Sequence, residues 1–147
     1  MLGNKTLKKR VGAVYCALIL ITFTTGCGGG GGGTPVATVV LTNQSVSPAE
    51  VFPGETVVIQ TDVTATEGVS SVTASVTKPD STVVGPIPLT LRSGTANTYQ
   101  ASYGSSSGQL DLPGSYSIVV TANDNNSNSA QTSAFTFSIE SPPQPPP

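Results

Sequence analysis

The sequence predicts an all-β protein, a single β-sandwich of about seven antiparallel strands over residues 37–140. Three observations predict it. Thr, Val and Ser dominate this stretch, and apolar residues recur at every second position with no long window of 3.6-residue period. Turn signals built from Gly, Pro, Asn and Asp break the alternation at short intervals. The stretch is about 100 residues long, enough for two small sheets to close one core between them.

The elements follow in order. Ala37–Leu41 reads as an opening strand, and Pro53-Gly54 as a turn. Val57, Ile59, Thr61 and Val63 share one face of the next strand. After Glu67-Gly68, Val72, Ala74 and Val76 alternate with Thr73, Ser75 and Thr77. Lys78-Pro79-Asp80 marks a turn, and Ile87, Leu89 and Leu91 form a third apolar set. Beyond Ser93-Gly94 come Tyr99, Ala101 and Tyr103, alternating aromatics of the kind that fill a sandwich core. A sugar-stacking platform is the other reading of that pair. Pro113-Gly114 precedes Tyr116, Ile118, Val120 and Ala122. Asp124-Asn125-Asn126 is a hairpin signal, and Phe135, Phe137 and Ile139 close the series.

The first 27 residues read as an address. Lys5, Lys8, Lys9 and Arg10 are four of the six cations. Val11–Phe23 is apolar but shorter than the roughly 20 residues a membrane span needs. Thr24-Thr25-Gly26-Cys27 follows, then six glycines. This series resembles a bacterial lipoprotein signal peptide and its lipobox. There a branched aliphatic residue, a small residue and Gly or Ala precede the Cys that receives lipid. Thr25, Gly26 and Cys27 match, while Thr24 stands where Leu is usual. The resemblance implies cleavage between Gly26 and Cys27 and a diacylglycerol thioether on the Cys27 sulfur. It implies a cell-envelope location, and Gly28 rather than Asp after the Cys is compatible with an outer membrane. Two plainer readings stand beside it: Cys27 as an ordinary thiol after a signal cleaved elsewhere, and residues 11–23 as an uncleaved anchor. Under the lipoprotein reading the domains are a signal peptide (1–26), a lipidated Cys with a Gly-rich tether (27–36), the sandwich (37–140) and a Pro-rich tail (141–147). Cys16 leaves with the signal, so no disulfide is expected.

Within the sandwich, Gly114-Ser115-Tyr116 resembles the tyrosine corner of the immunoglobulin superfamily. Asp111 lies five residues before Tyr116, one more than the common spacing, and Ile118 stands where antibody domains carry a Cys. Together with Pro53-Gly54-Glu55-Thr56-Val57 and Ala122-Asn123-Asp124-Asn125, this run is similar to Ig-like modules of bacterial surface proteins. The resemblance implies a sandwich fold and leaves activity open, because such modules serve as spacers, adhesive units and appendages of enzymes.

Composition narrows the chemistry. The chain has no His, which removes Ser-His-Asp triads, Cys-His dyads and His-ligated metals. After cleavage, Lys78 and Arg92 face eight carboxylates, a net charge of −6. Such a domain cannot neutralise a run of phosphates, so no nucleic-acid partner is expected. Asp124-Asn125-Asn126-Ser127-Asn128 matches the first half of a calcium loop, but Ser129 and Phe135 occupy the Gly and Glu positions. A calcium site would need Asp124 to meet Asp62 or Glu67 across the loops. No metal and no cofactor is expected. Ser105–Ser107 have no base to activate them, and Lys78 sits in a turn that points to solvent. The expected protein is a monomeric, lipid-anchored, non-catalytic module. Its partners are the membrane, through Cys27, and an envelope protein or glycan. The alternative is a carbohydrate- or calcium-binding accessory domain of a separate envelope enzyme.

Overall fold

The computed structural model describes residues 38–104 and 109–141. Ten strand segments form two sheets. In chain order they are β1 (Val39–Ser47), β2 (Glu50–Val51), β3 (Val57–Ala65), β4 (Val69–Thr77), β5 (Val83–Pro88), β6 (Thr90–Leu91), β7 (Thr98–Tyr103), β8 (Gly114–Asp124), β9 (Ser129–Gln131) and β10 (Phe135–Ile139). One sheet runs β1-β3-β7-β6. The other runs β2-β10-β8-β4-β5, with β9 also paired to β8. This is an Ig-like β-sandwich.

The alternation in the chain becomes the core. Val57, Ile59, Thr61 and Val63 of β3 are buried, while Val58 between them is exposed. On β8, Tyr116, Ile118, Val120, Ala122 and Asp124 are all buried. Val72, Ala74 and Val76 meet them from β4, and Phe137 and Ile139 from β10. Each large aliphatic side chain withdrawn in this way contributes roughly 1.5–3 kcal/mol. Tyr103 is fully buried, and half-buried Tyr99 packs against the same cluster, as expected of core aromatics.

Three elements depart from the sequence reading. The opening strand continues to Ser47, with a register shift between Thr42 and Ser45 and Asn43 in left-handed conformation. The chain then crosses to the other sheet, where β2 pairs parallel with β10, so not every pair is antiparallel. Finally, Ile87, Leu89 and Leu91 do not share a strand. Ile87 belongs to β5, Leu89 is buried in the crossing, and Leu91 lies half-exposed on β6 in the opposite sheet. Pro86 and Pro88 offer no N–H to a ladder, which favours an edge strand that ends there.

The chain enters and leaves at opposite ends. Val39 pairs with Ala65, and the Thr66 N–H donates to the Thr38 carbonyl at 3.2 Å. Ile139 pairs with Gly114 and Val51 at the other end.

Candidate functional site

The end of the sandwich that the chain enters gathers three turns. These are β3–β4 at 66–68, β6–β7 at 92–97 and β8–β9 at 125–128. The Asn125 N–H donates to the Gly68 carbonyl at 3.2 Å, and its side-chain amide to the Glu67 carbonyl at 2.7 Å. The Val63 N–H donates to the Asn97 carbonyl at 2.8 Å. Between the first two turns lies an open groove of about 500 Å³. Val63, Ala65, Val69, Ala96 and Tyr99 give it apolar walls, and Thr64 and Asn97 add a hydroxyl and an amide. No charged residue lines it.

The three candidate calcium ligands are not brought together. Among the described residues, no group of three acidic or Cys side chains is placed to hold a metal ion. Asp62 accepts from the Thr98 hydroxyl at 2.6 Å and the Asn43 amide at 2.9 Å, tying β3 to β7 and β1. Glu67 is exposed in the β3–β4 turn. Asp124 is buried and organises the β8–β9 hairpin. Its Oδ1 accepts the N–H groups of Asn126 at 2.9 Å and Asn128 at 2.8 Å, and its Oδ2 accepts the Asn128 amide at 2.7 Å. The acid-amide run thus does hairpin work, with Ser127 in left-handed conformation.

These bonds, the Asn128 amide foremost, hold the Asp124 carboxyl below the usual aspartate range against the opposing effect of burial. A depressed folded-state pKa contributes stability above the unfolded value of roughly 4, and that stability is lost as pH falls through the folded value. Melting temperature is therefore expected to drop below about pH 4. Asp124→Asn keeps one acceptor oxygen for the backbone N–H groups but sets an amide donor against the Asn128 amide, so it should lower the melting temperature at neutral pH and flatten the acid limb. An unchanged limb would remove Asp124 as its source.

The opposite end carries the tyrosine corner. The Tyr116 hydroxyl donates to the Leu112 carbonyl at 3.0 Å and accepts the Leu112 N–H at 3.3 Å. Gly114 has φ +131, and a Cβ there would come within 3.0 Å of Pro79. Asp111 takes no part in the corner. It pairs with Lys78 at 3.1 Å, and the lysine side chain is only 11% exposed. This corrects the expectation that Lys78 faces solvent. Its aliphatic stem is covered while its ammonium reaches the carboxylate. Tyr103 donates to the Gln109 carbonyl at 3.3 Å. Burial pushes its pKa up to about 12, and burial also raises that of Tyr116, so both hydroxyls remain donors at neutral pH.

Cys27 and Gly26 lie outside the described residues, as do Ser105–Ser107. The sequence reading missed Thr98 as the partner of Asp62 and Lys78 as the partner of Asp111; both are contacts across the chain with no local motif. No protein-family model matches the chain, and no curated protein matches it in sequence.

Proposed function

We propose that this chain is a lipid-anchored cell-envelope protein whose Ig-like sandwich acts as a non-catalytic binding or structural module. One observation carries the proposal: basic residues at 5–10, an apolar run at 11–23, then Gly26-Cys27 and a glycine run, in the order a lipoprotein signal requires. Two acyl chains on one Cys give durable attachment where a single chain would be marginal. The sandwich supports the module reading. Its carboxylates at Asp62 and Asp124 are engaged in tying strands and turns, and Lys78 is engaged with Asp111. Partners are an envelope protein or glycan, met by loops or by a sheet edge able to accept an extended strand.

The test is the intact mass of the protein extracted from membranes. The expected mass begins at Cys27 and includes diacylglycerol, with or without a further acyl chain. An unlipidated mass beginning elsewhere would overturn the anchor and make Cys27 a thiol of a secreted domain.

A further inference from the structure

We propose that on the membrane the sandwich presents one end to the bilayer: the end built from the β3–β4, β6–β7 and β8–β9 turns. The opposite end, with the tyrosine corner, then faces away. This rests on the lipid-anchor reading and adds an orientation to it.

The first argument is where the chain enters. Thr38 is fixed beside Thr66 at the start of β1, next to the β3–β4 turn. Ten residues, six of them the glycines 28–33, lie between Cys27 and Thr38, eleven Cα–Cα steps in all. Such a length reaches at most about 40 Å, and a Gly-rich chain of that length has an r.m.s. span of about 18 Å. The sandwich is longer than that span. β8 alone has 11 residues, about 36 Å at the rise of a strand. A lipid on Cys27 therefore holds the near end within reach of the headgroups, while the far end is free to stand up to about one strand length further out.

Charge points the same way. Glu50, Glu55, Asp80, Asp111 and Glu140 all lie at the far end, accompanied by Lys78 alone among the described cations. The near end carries exposed Arg92 against Glu67, the buried Asp124 and the half-buried Asp62. An anionic leaflet repels the far end more strongly, within a range of roughly 10 Å. The uncharged groove beside Tyr99 is at the near end, so no carboxylate in it opposes approach to headgroups. In immunoglobulin variable domains, loops clustered at one end of the sandwich contact the partner. Here the corresponding end is turned inward, and a partner arriving from outside meets the far end or the flanks.

The experiment uses the full lipoprotein with one introduced cysteine, since Cys27 is acylated and Cys16 leaves with the signal peptide. Ser93→Cys labels the near end and Thr56→Cys the far end; both positions are exposed. Asn126→Cys and Asp80→Cys form a second pair at the same two ends. Each is labelled with a fluorophore and reconstituted in phosphatidylcholine–phosphatidylglycerol vesicles carrying a headgroup quencher. Quenching at Ser93→Cys and Asn126→Cys is expected to exceed that at Thr56→Cys and Asp80→Cys by about threefold or more. Equal or reversed quenching in both pairs would overturn the orientation while leaving the anchor intact. Flotation of the same samples reports the anchor separately: protein that does not float with the vesicles overturns both.

Discussion

Gly104→Ala is expected to destabilise the domain by about 3 kcal/mol or more. Gly104 is buried, with φ +109. A Cβ at this position meets the Glu55 carbonyl oxygen and the Leu110 side chain, whose Cγ lies at 3.0 Å. The leucine is able to yield, but the carbonyl is backbone. It moves only with the β2–β3 turn, which is pinned because the Gly54 N–H donates to the Leu110 carbonyl at 2.9 Å. Two costs therefore add. An unfavourable backbone conformation costs an L-residue about 1–3 kcal/mol, and overpacking costs a similar amount. For a domain of this size, such a loss lowers the melting temperature by roughly 12–20 °C. Gly94→Ala is the control. Gly94 also has positive φ, +81, but nothing lies within 4 Å of its Cβ position. Only backbone strain of about 1 kcal/mol should remain. Denaturant midpoints for the two variants decide the matter: equal losses would mean that the contact with Glu55 is not what Gly104 is there to avoid.

Nothing local in the sequence marks Gly104 as different from Gly94, because the clash comes from a residue 49 positions earlier. The same division runs through the fold. Period-2 alternation marks the inner faces of β3 and β8, since a strand buried on one side must place apolar groups at every second residue. Alternation does not say which sheet a strand joins. Ile87, Leu89 and Leu91 keep the period while the chain passes from one sheet to the other, and their spacing is silent about that passage. β2, with two residues, is too short to alternate at all. The tyrosine corner was legible because Gly114 and Tyr116 are neighbours and the hydroxyl reaches back only four residues. The Lys78–Asp111 pair spans 33 positions and carries no such signature. Asp62 and Asp124 were candidate ligands by residue type. Only the structure shows that hydroxyl, amide and backbone donors already occupy their oxygens.

Tyr116→Ala is expected to cost about 3–5 kcal/mol, a large share of the roughly 5–15 kcal/mol that holds a domain of this kind together. The residue does two separable things. Its ring stacks on Phe137, with centroids 4.9 Å apart and planes inclined by 23°, where β8 and β10 face the other sheet. Its hydroxyl satisfies both polar groups of the Leu112 backbone, fixing the approach to β8. Tyr116→Phe separates them. It keeps the ring and leaves the Leu112 N–H and carbonyl without this partner, a loss of about 1 kcal/mol. Most of the alanine cost should therefore come from the ring and the cavity it vacates. A double-mutant cycle with Phe137→Ala assigns the stacking. The double variant should lose less than the two single variants together, by about 0.5–1.5 kcal/mol, because either truncation already removes the pair. Strict additivity would mean that the rings stabilise the core only by filling it. A phenylalanine variant as unstable as the alanine one would instead make the hydroxyl the dominant element. The corner, rather than the core beneath it, would then hold this end of the sandwich in shape.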